Sequence, residues 1–188
     1  MRTPQSQEMR DMNIVDLLLF EHDQQEALLG ELKEAGGTER VALFQRLARM
    51  LAVHESAEEV VLYPVVRANF GDGHRLARQA TRDEDQIKKR VAKLQAGEVL
   101  LARDLRELEE MVRAHHEMEE REFIAALPHV QIEAQLGGLA SAYQIVEHLA
   151  PIRGHRHAPT GPLGNVLLGT PVAIVDKVRS RMGHAVKR

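Results

Sequence analysis

Cysteine and tryptophan are absent from this sequence, and aromatic side chains make up only 3% of it. Without cysteine the chain forms no disulfide bond, no iron–sulfur cluster and no thiolate zinc site. Because aromatic residues are scarce, aliphatic side chains must fill the core, and an apolar content of 44% is sufficient for one. A metal site in this chain would therefore use nitrogen and oxygen ligands.

Long apolar runs and a strong excess of one charge are also missing. No stretch reaches the roughly 18 consecutive apolar residues of a transmembrane helix. The polar N-terminal segment, residues 1–13, lacks the apolar centre of a signal peptide. The net charge of −3 gives no reason to expect binding to nucleic acid or to an anionic membrane surface. We therefore expect a cytoplasmic protein with neither of these partners.

Apolar residues recur at helical spacing in four long stretches, which predicts four amphipathic helices. Their expected bounds are 13–35, 39–68, 74–95 and 99–126, and glycines mark the short connections between them. Such a pattern is typical of an antiparallel up-down four-helix bundle, so the predicted fold class is all-α.

The chain divides into three segments by composition. Residues 1–128 are expected to form the bundle, and residues 129–150 an additional helix that packs on it. Residues 151–188 are a Pro/Gly-rich extension, expected to be irregular. Within this extension, the amphipathic stretch 172–182 fits either a short helix or a disordered end.

Two matching phrases, His54-x3-Glu58 and His115-x3-Glu119, lie on the apolar stripes of the second and fourth predicted helices. A histidine and a glutamate four residues apart share one face of a helix. Each pair is therefore half of a site for a metal that accepts nitrogen and oxygen ligands. Two such halves on different helices predict a pair of metal ions inside the bundle.

Polar residues also interrupt the apolar stripes of the other two helices, at His22 and Glu84. An unpaired carboxylate or imidazole in a core costs several kcal/mol, and neighbouring carboxylates repel one another. Bound cations relieve both costs. The predicted ligands are His22, His54, Glu58, Glu84, His115 and Glu119.

Three neighbouring residues leave alternatives open. His116 competes with His115, but it is in phase with Glu120 and is expected to point toward solvent or a neighbouring helix. Asp85 competes with Glu84, but it leaves the apolar stripe. Tyr63 lies one turn beyond the first pair, where a role in core packing is favoured over a hydrogen bond to the site.

The order of His22, His54-x3-Glu58 and His115-x3-Glu119 resembles the hemerythrin-like, or HHE cation-binding, domains. The phrase HESAEEVVLYP is especially similar to the second helix of that family, and the resemblance covers residues 13–127. The Pro-rich tail is similar to the C-terminal extension of some bacterial members.

The resemblance implies a non-haem diiron site: two iron ions with an oxo or hydroxo bridge and one open position. It implies that Glu58 and Glu119 bridge the ions and that the histidines are terminal ligands. In the third helix the family usually has histidine where this chain has Glu84, as a terminal or bridging carboxylate. The extra negative charge favours ferric iron and disfavours reversible oxygen carriage.

Members of the family bind or react with small molecules such as O2, H2O2 or NO, or sense iron and oxygen. The first hypothesis for this chain is a diiron protein that destroys peroxide or reacts with nitric oxide. The second is a non-enzymatic sensor or a metal-stabilised interaction module. The third is a structural bundle with zinc or without metal.

Overall fold

The computed structural model describes residues 12–97 and 100–149, and within these ranges every regular element is helical. The prediction of an all-α bundle is confirmed. The extension at 151–188, including the stretch 172–182, lies outside the described residues. The elements are α1 (Ile14–Glu34), α2 (Gly37–Ala57), a first π-helical turn (Glu58–Leu62), α3 (Tyr63–Asn69), α4 (Gly73–Ala96), α5 (Ala102–Glu119), a second π-helical turn (Glu120–Ile124), α6 (Leu127–Val130) and α7 (Glu133–Leu149).

The helices pack around one long core. Helix α1 contacts α2 and α5, while α4 contacts α3 and α5. Helix α7 lies across α1, α2 and the first π turn, so a fifth helix covers the part of the bundle where the first histidine–glutamate pair is found. No helix in the described ranges is both long enough and apolar enough to cross a membrane.

Buried apolar side chains, most of them aliphatic, form two large clusters within the described residues. One cluster includes Leu17 of α1 and Phe123 of the second π turn. The other includes Leu28 of α1 and Leu108 of α5. On α1, α2, α4 and α5 one or more buried polar residues fall between the two clusters along the chain. The core is thus apolar at both ends and polar in a middle layer.

Both π turns interrupt stretches that the sequence predicts as single helices, although Pro64 predicts an end or a bend near the last turn of the second one. The amide of Tyr63 bonds to the carbonyl of Glu58, five residues back, instead of four. Pro64 follows directly; it has no N–H to donate and its ring crowds the carbonyl four residues earlier. The wider turn accommodates this. Such turns often occur at functional sites, and here each begins at or directly after the glutamate of a histidine–glutamate pair.

Gly73 lies where the chain reverses between α3 and α4. A Cβ atom at this position would stand 2.0 Å from the carbonyl oxygen of Val66 and 2.9 Å from Cα of Arg67. Both are backbone atoms, which cannot move aside without displacing α3. Only glycine allows this close approach of the two helices.

We therefore expect Gly73→Ala to destabilise the protein by about 1–3 kcal/mol, the usual cost of forcing extra volume into a packed site. Urea unfolding monitored by circular dichroism measures the change. Gly71→Ala is the matched control, because a Cβ there meets no atom within 4 Å, and it should alter stability by less than about 0.5 kcal/mol. Equal effects of the two substitutions would contradict this account of the turn.

Candidate metal centre

All six residues predicted as ligands lie in the polar middle layer, and none is more than 2% exposed. They come from α1, α2, the first π turn, α4 and α5. Because each long helix carries its polar residue at the same level of the bundle, packing of the apolar ends brings these side chains together. Metal binding by these residues stays a prediction.

Their potential ligand atoms form two clusters that share Glu58. One cluster contains His22, His54, Glu58 and Glu119, and the other contains Glu58, Glu84 and His115. Within each cluster the atoms lie no more than 4.8 Å apart. A carboxylate has two oxygens and can serve two neighbouring ions, so this arrangement suits a pair of cations.

Several of these atoms have no hydrogen-bond partner among the described residues. They are Nε2 of His22 and His54, both ring nitrogens of His115, both oxygens of Glu58, and Oε2 of Glu119. Each is buried, and an unsatisfied buried polar atom costs roughly 1–3 kcal/mol. The atoms converge: His54 Nε2 is 3.4 Å from Glu58 Oε1, and His115 Nε2 is 3.6 Å from Glu119 Oε2. Cations among them would take up these lone pairs, so the donor set fits a metal pair.

Burial also sets the charge of the free site. It raises the pKa of Glu58 well above its ordinary value, and Glu119 and Glu84 raise it further. Burial lowers the pKa values of His54 and His115. Without metal, burial therefore favours the protonated form of Glu58 and the neutral forms of His54 and His115. Neutral imidazole is the form that binds metal, whereas the carboxyl group must release its proton.

The outer nitrogens of two histidines have carboxylate partners that the sequence analysis missed. Nδ1 of His22 is 2.7 Å from Oε1 of Glu120, and Nδ1 of His54 is 2.8 Å from Oε2 of Glu21. If each Nδ1–H donates to its carboxylate, Nε2 keeps its lone pair and faces the cluster. The pattern available in the sequence was that Glu21 and Glu120 each stand next to a predicted ligand.

Tyr63 is fully buried, and its hydroxyl contacts Oε1 of Glu84 and, at 2.8 Å, Oε1 of Glu119. The sequence favours core packing over a hydrogen bond for this residue, and the structure shows both. The ring does pack edge-on against Phe123, but the hydroxyl reaches the site. A hydroxyl has one proton to donate. Tyr63 can therefore donate to Glu119 and accept from protonated Glu84, whose pKa burial raises well above its ordinary value.

His116 is only 1% exposed and does not point to solvent. Its ring stacks on that of His22 with the centroids 3.8 Å apart, and its Nε2 lies 3.2 Å from Oε1 of Gln25. It forms a third cluster, with His22 and His54. The physical reason is that α1 packs over this side of α5. His115, by contrast, is the neighbour that joins Glu58 and Glu84.

Lys88 lies behind Glu84, one helical turn further along α4. Its Nζ is 2.7 Å from Glu59 Oε1 and 3.5 Å from carboxylate oxygens of both Glu55 and Glu84. These carboxylates outweigh the effect of burial and raise the pKa of Lys88. The ammonium group thus balances part of the negative charge around Glu84. Asp85 is half-buried and belongs to none of the three clusters.

The metal-free protein should lose stability as pH rises from 6.5 to 8. Burial raises the pKa of Glu55 from 4.5 to about 8, so the folded chain holds a proton that the unfolded chain has released. Stability then falls with pH, by up to about 1.4 kcal/mol per pH unit for each such proton. The lowered pKa values of His54 and His115 act in the opposite sense, but only below their ordinary value of 6.5.

Urea unfolding of metal-free protein at pH 6.5 and 8 measures the slope. Glu55→Gln removes one of these titrating groups and should reduce the slope, while other carboxyls with raised pKa values, such as Glu147, still contribute to it. Stability that rises over this interval in the wild-type protein would show that these carboxyls are ionised in the folded chain.

Comparisons with known proteins agree with this geometry. Residues 13–127 match the family model described as the hemerythrin HHE cation binding domain. An uncharacterized hemerythrin-like protein of Schizosaccharomyces pombe is 25% identical over 174 residues, covering 90% of this chain and 86% of its own length. A DNA nickase of Nostoc sp. is 27% identical over 127 residues, or 65% of this chain, and the match spans 36% of that relative. No solved structure gives a significant match. The chain belongs to the hemerythrin HHE cation-binding domain family.

Proposed function

We propose that this protein binds two iron ions in the polar layer of its bundle and acts in the cytoplasm on a small oxidant or gas: H2O2, O2 or NO. The observation that supports this most directly is the set of buried, unpartnered imidazole and carboxylate atoms around the shared Glu58. Donor sets of nitrogen and oxygen with shared carboxylates suit iron. When bound, the iron pair would supply the electron transfer that these small molecules require.

In this proposal His22 and His54 hold one ion, and Glu84 and His115 hold the other. Glu58 belongs to both clusters. Oε2 of Glu119 lies 3.7 Å from Nε2 of His22 and 3.6 Å from Nε2 of His115, which supports a role as the second shared carboxylate.

The protein's own contribution is a dry and charge-balanced site. Six buried ligands exclude bulk water, the hydroxyl of Tyr63 can hold a proton between Glu84 and Glu119, and Lys88 offsets the third carboxylate. Three carboxylates favour the more oxidised metal. This supports reaction with an oxidant or with NO over reversible oxygen carriage.

The alternative is a non-enzymatic sensor or metal-stabilised interaction module for iron, oxygen or NO. Its supporting observation is that α7 packs directly on α1, α2 and the first π turn. A change in metal occupancy would therefore reach a helix outside the matched range 13–127. We propose no nucleic-acid partner, since the net charge is −3, and the nickase activity named for the Nostoc relative belongs to a protein of which this chain spans only 36%.

Protein purified from iron-replete cells should contain about two irons per chain and melt at a higher temperature than the metal-free form, because metal binds only the folded state. His54→Ala should lose most of its iron. His129→Ala is the matched control, because His129 is exposed on α6, and it should keep both ions. Metal analysis and calorimetry measure these effects. Stoichiometric zinc with no iron would argue for a structural bundle.

Mixing the iron-loaded protein with peroxide or with NO then distinguishes the two proposed functions. Repeated turnover supports an enzyme, whereas one stoichiometric reaction per centre supports a sensor. Iron-free protein is the control for both reactions.

Glu84→Ala should weaken the binding of one iron more than the other, because Glu84 belongs to only one of the two groups of predicted iron ligands. Glu84→His should retain both irons and make the centre easier to reduce, since it removes one negative charge. Asp85→Ala is the control and should change little, because Asp85 lies about 100° around the helix from Glu84. Iron titration and redox potentiometry measure these changes. Loss of iron in Asp85→Ala would refute this register of α4.

A further inference from the structure

A residue of α7 reaches the metal centre from outside the matched range 13–127. The side chain of Tyr143 is fully buried, and its hydroxyl oxygen lies 2.7 Å from Nδ1 of His54. The same oxygen is 3.2 Å from Oε2 of Glu21 and 3.2 Å from the carbonyl oxygen of His54. No other residue in the described part of the chain brings a hydroxyl to this histidine.

With the proton of His54 on Nδ1, these contacts form a consistent hydrogen-bond arrangement around the ring. The Nδ1–H of His54 donates to both Oε2 of Glu21, at 2.8 Å, and the hydroxyl oxygen of Tyr143. The hydroxyl in turn donates to Glu21 or to the carbonyl of His54. The carboxyl group of Glu147, one turn further along α7, is another hydrogen-bond partner of Glu21. Helix α7 thus holds both His54 and the carboxylate that His54 binds.

We propose that Tyr143 is a positioning residue for His54, which with Glu21 fixes the Nδ1–H form of the imidazole and aims Nε2 at Glu58. The inference rests on the proposed metal pair. A histidine that binds metal commonly donates its other N–H to a protein acceptor, and loss of that partner lowers metal affinity by roughly 10–100-fold. On this assignment α7 is part of the metal centre.

The two ions should respond differently to loss of the Tyr143 hydroxyl. His54 belongs to the cluster with His22, whereas His115 belongs to the other cluster, and neither ring nitrogen of His115 has a hydrogen-bond partner among the described residues. Loss of the Tyr143 hydroxyl should therefore weaken the ion held by His22 and His54 and leave the second ion nearly unchanged.

The sequence supplies a matched control, because it has only two tyrosines. The hydroxyl of Tyr63 bonds to carboxylates of Glu84 and Glu119 instead of to an imidazole. Tyr143→Phe and Tyr63→Phe each delete one buried hydroxyl and keep the ring. They differ in the group that loses its partner.

The experiment uses the full chain loaded with iron-57. Mössbauer spectra resolve the two ions, and competition with an iron chelator gives their affinities. In Tyr143→Phe we expect one ion to be bound about 10–100-fold more weakly and its doublet to shift, while the doublet of the other ion stays in place. Tyr63→Phe removes a partner from Glu84 of one cluster and from Glu119 of the other, so it should not weaken that one ion selectively. Unchanged affinities, or equal weakening of both ions, would overturn the proposal.

A readout on metal-free protein distinguishes failure of this proposal from failure of the proposed function. Nitrogen-15 NMR follows the Nδ1 proton of His54, which should exchange with water about two- to tenfold faster in Tyr143→Phe, as the loss of one hydrogen bond implies. Ser141→Ala, on the exposed side of α7, should leave the exchange rate unchanged. If wild-type protein binds no iron, the proposed function fails, and an unchanged exchange rate in Tyr143→Phe then rejects the role of Tyr143 as well.

Discussion

The bundle depends on one constraint: carboxyl and imidazole groups lie together where water cannot reach them. Apolar residues at these positions would fold the same four helices at lower cost, since buried ionisable groups are stable only when they are paired. Surrounding side chains form hydrogen bonds or ion pairs with several of these groups. Glu21 and Glu120 lie within hydrogen-bond distance of histidine rings, Tyr63 contacts two glutamates, and Lys88 faces three carboxylates. Atoms still without a partner converge on the centre of the layer.

The two halves of the centre are chemically unlike. On one side His22 and His54 are backed by carboxylates, which make neutral imidazoles stronger donors. On the other side Glu84 is backed by the ammonium group of Lys88, which draws negative charge away from the ligand. Two ions bound here would experience different electrostatic fields even though they share Glu58. A centre of this kind need not exchange electrons equally at both ions.

The sequence predicts the parts of this centre that depend on local spacing. A histidine and a glutamate four residues apart on an apolar stripe share a helix face in any bundle, so His54 and Glu58 could be chosen before the fold was known. The contact between His54 and Tyr143 joins residues 89 positions apart, and only the packing of α7 creates it. For His116 the sequence leaves solvent and a neighbouring helix open, and the position of α1 decides for the helix. The π turns escaped notice because helical periodicity does not reveal which carbonyl an amide will bond to.

The polar layer also divides the apolar interior of the described residues into two clusters that meet only through it. Proteins open locally in units that are separated by their weakest contacts. In the metal-free chain the layer is such a boundary, so each apolar end can loosen with limited effect on the other. The predicted ligands from α1, α2, α4 and α5 meet in this plane, and a cation bound there would tie the two ends together. A small ion at the middle of the bundle would then govern the cooperativity of unfolding along its whole length.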